Sequence, residues 1–515
     1  MITRITRIVP EAVDTERALR FSLAVLKRGP LLPLQPEHAQ DNPVVIAEDS
    51  PWPYEILDDI RRVLGFEVRP LLAPKEVILM ELNRIFDMAS TSAEKMLEDL
   101  DDYNSLSHEI EEVKDILDSD DEAPVIRLVN TLIGQALRER ASDIHIEPFE
   151  SEVLVRFRVD GVLYTAVKPP KSVQSAMVSR IKVMADLDIA EKRHPQDGRF
   201  RMRIAGREVD VRVSVLPTAY GERVVMRLLD RSSRMLTLKE LGYSDEQMRL
   251  TKQVLKAPHG IVLVTGPTGS GKTTSLYASL MMVDRENRNV LTIEDPIEYQ
   301  LQGVGQMQVQ SKIGVSFSQG LRSILRQDPD IIMIGEIRDL ETAEIAIQAS
   351  LTGHLVFSTL HTNDALSAIV RLQDMGVEPY LVASSLLMVQ AQRLVRQLCP
   401  DCKVARPATA TDWKLLGVDA TQYADVSHIY EAGGCDHCMQ TGYLGRKAVF
   451  EMAQISGALR AAIHDEKNLA QLRKIAAQEK MYSLAQDGSR HVAAGITSMD
   501  EILRVTLKET VDDIS

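Results

Sequence analysis

The spacing of apolar positions changes several times along the chain, and each change marks a new unit. In residues 1–92 short apolar runs alternate with helical spacing. Asn42–Ala47 reads as a strand. Tyr54–Leu64 reads as an amphipathic helix with Ile56, Leu57, Ile60 and Val63 on one side. Gly65 suits the helix end, Phe66–Leu71 reads as a second strand, and Pro74 opens a helix carrying Val77, Ile78, Met80, Leu82, Ile85 and Phe86. Residues 123–238 predict a helix (Pro124–Arg140), strands at Ser142–Glu147, Val153–Val159 and Val162–Val167, and a helix at Ser172–Met184. Further strands follow at Phe200–Ile204, Glu208–Pro217 and Arg223–Leu229, the pattern of an α+β domain with an antiparallel sheet. Residues 239–394 switch to strand–helix alternation with nearly continuous apolar strands, which predicts a parallel sheet covered on both faces. Residues 395–445 hold the cysteines, and 446–515 read as mostly helical.

Charge sharpens the division. The 515 residues are 44% hydrophobic and 26% charged, ordinary for a globular protein, with a formal net charge of −14. Between Glu94 and Glu122 thirteen carboxylates face only Lys95 and Lys114, so this stretch carries −11 of that total. Residues 93–122 therefore read as an acidic linker, and the remaining chain is close to neutral. The acidity argues only weakly against a nucleic-acid partner, because most of it sits in the linker. No apolar run reaches bilayer length. The N-terminus is interrupted by Arg4, Arg7, Glu11, Asp14, Glu16, Arg17 and Arg20, so the expected location is the cytoplasm.

The strongest chemical signal is Gly266-Pro267-Thr268-Gly269-Ser270-Gly271-Lys272-Thr273, followed by Thr274. It fits G-x-x-x-x-G-K-[ST] between a strand (Ile261–Val264) and a helix (Thr273–Val283). The glycines let backbone N–H groups wrap a phosphate, and the helix presents its positive end to the anion. Lys272 supplies a charge for the β- and γ-phosphates, and the Thr273 hydroxyl suits Mg²⁺. The absence of a guanine-reading element favours ATP.

Acids follow at strand ends. In Asp330–Asp339 an apolar strand delivers Glu336, suited to polarising an attacking water; Asp330, also assigned to the nucleotide site, and Asp339 are the alternatives. Val290–Ile293 ends in Glu294, Asp295 and Glu298, carboxylates suited to Mg²⁺ or a water relay. Leu355–Thr359 is preceded by His354 and ends near His361, read equally as a sensor or as an ordinary surface histidine. Cys399-x₂-Cys402 and Cys435-x₂-Cys438 use every cysteine of the chain. This spacing predicts a structural Zn²⁺ rather than a redox pair.

Taken together, these motifs resemble the secretion ATPases of the type II secretion and type IV pilus assembly class. The resemblance covers most of residues 123–515 and includes ASDIHIEP (Ala141–Pro148), Ser179–Arg199, DVRVSVLPTAYGERVVMRLLD (Asp210–Asp230), TIEDPIEY (Thr292–Tyr299) and Leu321–Ala365. The type II secretion branch fits best, with pilus assembly ATPases as near neighbours. The resemblance implies a RecA-like P-loop core, a hexamer with ATP sites between the second N-terminal domain and that core, and γ-phosphate-contacting arginines at Arg212 and Arg227. It also implies that residues 1–92 dock on the cytoplasmic domain of an inner-membrane platform protein, beside a polytopic platform subunit, with no nucleic acid expected. The rival readings are a RecA-type nucleic-acid translocase and a nonhydrolysing nucleotide switch.

Overall fold

In the computed structural model the described residues are 124–506, apart from 205–206, 231–234 and 311–312, together with 3–5, 8, 13–18, 31–35, 43–47, 69–75, 77–78 and 81–82. The chain divides into two compact units, Met1–Ser232 and Ser233–Ser515. The helix expected at Tyr54–Leu64 and the acidic linker lie outside the described residues.

The first unit opens with strands β1 (Thr3–Arg4), β2 (Leu31–Pro33), β3 (Pro43–Ala47) and β4 (Arg69–Ala73) in the order β1-β4-β3-β2. β3 and β4 run parallel, and Val44, Val45, Leu71, Ile78 and Leu82 share one core. After the helix Pro124–Arg138 comes a six-stranded sheet: β5 (Asp143–Pro148), β6 (Val153–Val159), β7 (Val162–Val167), β8 (Gln196–Ile204), β9 (Arg207–Thr218) and β10 (Gly221–Asp230). Its order is β7-β6-β5-β10-β9-β8, with every pairing antiparallel. Strand alternation explains how it packs. Val209, Val211, Val213 and Val215 join Ile144, Ile146, Val224 and Met226 on one face, which the helices Pro124–Arg138 and Gln174–Met184 cover. The intervening residues form a polar face, on which Arg199, Arg212 and Arg227 stand in one row across β8, β9 and β10. Buried Lys182 pins the segment after the second helix, donating to Glu191 O at 2.7 Å and pairing with Glu222 at 2.5 Å.

The second unit is built on a seven-stranded sheet. Its strands are β11 (Gly260–Thr265), β12 (Val290–Glu294), β13 (Gly305–Gln308), β14 (Ile331–Ile334), β15 (Leu355–Leu360) and β16 (Leu386–Leu398), with β19 (Tyr443–Gln454) at one edge; β17 (Val404–Pro407) and β18 (His428–Glu431) form a separate ribbon. The order is β13-β12-β14-β15-β11-β16-β19, parallel except for the antiparallel β16–β19 pair. Ile261, Leu263, Ile332, Ile334 and Val356 enter one core; Val262, Val264, Ile331, Met333, Leu355 and Phe357 enter the other. Both faces are buried, and so the strands read as unbroken apolar runs.

Three boundaries differ from the sequence reading. The second unit begins at Ser233, before the helix Leu238–Leu241. The borders expected at 394/395 and 445/446 fall inside β16 and β19. The terminal region thus opens as a strand before the helices Gly457–His464, Leu469–Gln478, Leu484–Ala493 and Met499–Thr506. The partner that makes β19 a core strand lies 45 to 66 residues upstream, from Leu398↔Tyr443 to Met388↔Gln454, beyond any local window.

Candidate active site and metal centre

β11 ends directly in the phosphate loop, and the helix Lys272–Leu280 leaves it. Gly266 has φ +145°, and a Cβ there would stand 2.5 Å from Gln392 O; one on Gly271, at φ +87°, would stand 2.8 Å from the Gln392 side-chain amide. Neither position accepts a side chain. The loop therefore lies tightly on β16. Gln392 Nε2 donates to Ser270 O at 2.8 Å, and its Oε1 accepts from Ser275 Oγ at 2.8 Å. Gln390 extends this buried network to the Tyr243 hydroxyl at 2.7 Å, and burial pushes the Tyr243 phenol up to about 12. Gln390 and Gln392 escaped the sequence reading. Their signal was two amides at alternate positions directly after an apolar run, where each, if buried, must find a partner.

The loop leaves Pro267, Thr268, Gly269 and Thr273 exposed and Thr274 half-buried, while Ser270 and Lys272 are buried. Lys272 Nζ donates to Gly266 O at 2.6 Å and to Pro267 O at 3.2 Å. Burial lowers its pKa to about 8, opposed by Glu336 and reinforced by Arg393. Glu336, just beyond the carboxyl end of β14, is held from two sides. Arg338 pairs with one oxygen, and His361 Nε2 lies 3.2 Å from the other. Asp295 is exposed and within electrostatic reach of Arg338. Lys272, Glu336, His361 and Asp295 thus gather at the carboxyl edge of the parallel strands, where open α/β sheets bind ligands.

Other expected residues stand elsewhere. Asp330 precedes β14, and its Oδ2 accepts from Asn289 N–H at 2.7 Å, ahead of β12. It marks the amino edge of the sheet, roughly 13 Å from the nucleotide edge for a four-residue strand. An acid before a parallel strand and an acid after it serve opposite edges, and the assignment of Asp330 to the nucleotide site is corrected accordingly. His354 sits at the same amino edge, with Nδ1 2.8 Å from Ala349 O. Asp339 caps the helix Leu340–Leu351, accepting from Thr342 N–H at 2.8 Å. Glu294 is 2% exposed and fully engaged, accepting from the Tyr277 hydroxyl, from Thr292 Oγ1 at 2.6 Å and from Gln306 Nε2 at 3.0 Å. It braces the strand end from within. Glu298 follows half-buried, its N–H 3.3 Å from the Tyr277 hydroxyl.

In the first unit, Arg227 and Arg212 are cross-strand neighbours, and Arg227 Nε donates to Asp143 Oδ1 at 2.9 Å. Arg199, opposite Arg212 on β8, extends the row. Only sheet register reveals it.

The cysteines converge from the ends of β16 and β19. The Sγ separations are 3.8 Å for Cys399–Cys435 and 3.7 Å for both Cys402–Cys438 and Cys435–Cys438. Tetrahedral zinc with Zn–S bonds of about 2.3 Å requires sulfurs about 3.8 Å apart. A disulfide requires about 2 Å. The donor set fits zinc, and His437, hydrogen-bonded to Asp401, stands exposed beside it.

Residues 118–504 match the type II/IV secretion system protein family, and residues 5–92 match the MshEN domain. The chain is 48% identical to the type II secretion system protein E of Aeromonas hydrophila, over 91% of this chain and 93% of that one. It is 46% identical to the corresponding protein of Pectobacterium carotovorum over 98% and 99%. Among solved structures, the Legionella pneumophila ATPase DotB shares the fold at a TM-score of 0.54 and 21% identity, covering 75% of this chain and 97% of that one. With its complete phosphate loop and an acid-bearing strand edge, the chain belongs to the type II/IV secretion system protein family and is a P-loop secretion ATPase.

Proposed function

We propose that this ATPase works in the cytoplasm as a homohexamer that powers pseudopilus assembly and protein export through a type II secretion system. The observation that carries the reading is the Glu336 carboxylate, fixed by Arg338 and His361 at the strand edge that bears Lys272. In this reading Lys272 leaves the loop carbonyls to meet the β- and γ-phosphates, and Glu336 orients the attacking water with help from His361. Asp295 and Glu298 complete the acidic rim, whereas Glu294 holds that rim in place. The Thr273 hydroxyl would ligate Mg²⁺, which supplies charge neutralisation at the phosphate oxygens. Arg212 and Arg227 would meet the γ-phosphate, where an arginine contributes about 10³–10⁵ in rate. Cys399, Cys402, Cys435 and Cys438 would together hold a structural Zn²⁺ as four thiolates, which would tie the module together rather than take part in hydrolysis.

Residues 1–92 would dock on the cytoplasmic domain of an inner-membrane platform protein, placing the ATPase peripherally beside a polytopic platform subunit. No nucleic-acid partner is proposed. A secretion-competent strain whose only copy carries Lys272→Ala tests the reading: it should retain export substrates inside the cell, and detergent-solubilised membranes should yield platform proteins with the full chain but not with one lacking residues 1–92. Normal export by the variant strain would overturn the motor role.

A further inference from the structure

β16 turns polar where it passes under the phosphate loop, and its most unexpected residue there is Arg393, 7% exposed. A guanidinium stays charged at any relevant pH, and burying one is costly unless its donors are well used. Its Nη2 donates to Asn363 O at 2.9 Å and to Asn363 Oδ1 at 3.3 Å, and its Nη1 donates to Gln392 O at 3.2 Å. Nη1 also lies 3.3 Å from where a Cβ on Gly266 would stand. The guanidinium therefore crosses beneath the first residue of the loop. It joins β16, on one side of β11, to the turn that follows β15 on the other. Thr265, the last residue of β11, ties the same turn by accepting from Thr362 N–H at 2.8 Å. One residue earlier in that turn is His361, the partner of Glu336.

We propose that Arg393 is a positioning residue for phosphoryl transfer: by gripping Asn363 from beneath the phosphate loop, it fixes the His361–Glu336 pair relative to Lys272. The inference rests on the reading of Glu336 as the water-orienting group. The planar fork matters more than the charge. An ammonium on a flexible stem cannot reproduce three donations in these fixed directions, and small misplacements of catalytic groups are expensive in rate.

The test compares full-length wild type, Arg393→Lys, Asn363→Ala and Glu336→Gln in steady-state ATP hydrolysis and in titration with a fluorescent ATP analogue. Arg393→Lys should keep nucleotide affinity within about twofold while kcat falls about tenfold or more. Asn363→Ala keeps the backbone acceptor and should lose about two- to threefold in kcat with KM unmoved. Wild-type kcat in Arg393→Lys overturns the proposal. So does a loss of affinity that parallels the loss of kcat, because that signals collapse of the loop rather than misplacement of His361. If Arg393→Lys does not fold, Asn363→Ala decides by the same split, and an unchanged kcat overturns the proposal. Glu336→Gln separates the two levels: wild-type turnover in that variant removes the underlying reading, whereas an inactive Glu336→Gln beside a fully active Arg393→Lys removes this inference alone.

Discussion

Glu336 and His361 meet at 3.2 Å across the carboxyl ends of neighbouring parallel strands, although 25 residues separate them in sequence. The contact gives the histidine a defined partner and orients the carboxylate toward the phosphate-loop edge. Glu336→Gln keeps the shape but loses the charge; if that carboxylate orients the attacking water as proposed, kcat should fall by about 10²–10⁴ while ATP still binds. His361→Ala leaves Arg338 holding the carboxylate and should cost less, about tenfold. Single-turnover hydrolysis beside equilibrium nucleotide binding checks both. Equal losses from the two substitutions would show that His361 does more than orient its neighbour.

The phosphate loop depends on Gln392 in a different way. Gln392→Leu removes the donor to Ser270 O and the acceptor for Ser275 Oγ while keeping the side chain's volume. Leaving those buried groups unpaired costs about 1–3 kcal/mol. Because the loop's backbone is what cradles phosphate, ATP affinity should fall about tenfold, with kcat at saturation nearly unchanged. A titration that finds wild-type affinity would show that the two glycines seat the loop unaided.

How legible this site was depended on the range over which its signals act. The phosphate loop and both cysteine pairs are local patterns whose spacing alone implies their chemistry. Strand identities also followed closely, as with Val153–Val159 and Val162–Val167, because burial imposes a period on the sequence. Position along a parallel strand was less visible. Asp330 and Glu336 flank one apolar run, and the parallel pairing of β14 with β12 and β15 leaves only Glu336 at the edge that bears the phosphate loop. Glu294 looked as available as Asp295 until its partners appeared: Thr292 on its own strand, and Tyr277 and Gln306 from neighbouring elements. Gln392 meets Ser270 and Arg393 meets Asn363 only through the fold, and Arg199 joins Arg212 only through the β8–β9 register, so no local pattern announces these pairings.

The cysteine module sits at the open end of the β16–β19 pair: Leu398 is matched with Tyr443, Cys399 follows the first directly, and Cys435 and Cys438 lie in the turn that leads into the second. Four thiolates at tetrahedral spacing predict one zinc per full-length chain by elemental analysis. Replacement by Co²⁺ should give the intense visible bands of tetrahedral thiolate coordination. Cys399→Ser should lose those bands and melt at lower temperature, since structural zinc contributes on the order of 10 kcal/mol in small units. Wild-type Co²⁺ spectra from Cys399→Ser would exclude this residue as a ligand.

His491 makes stability depend on pH. It is 2% exposed in the helix Leu484–Ala493, and Nε2 lies 3.2 Å from Ala448 O. Burial, reinforced by Arg490 and Lys447 and opposed by Asp487, lowers its pKa to about 4. The unfolded chain, with a histidine pKa of about 6.5, binds the proton more readily than the folded one. Stability from this group is therefore complete above about pH 6.5 and declines as pH falls toward 4, by on the order of 3 kcal/mol in all. His491→Gln retains a donor for Ala448 O and cannot titrate. Urea denaturation followed by Trp413 fluorescence, in a Trp52→Phe background, should therefore show wild type and variant converging or crossing as pH falls from 7 to 4.5. Trp413 reports the right region because it packs in the same cluster as Val492, beside the histidine. A constant difference between the two proteins across that range would mean that His491 takes up its proton equally in the folded and unfolded chains, contrary to its burial.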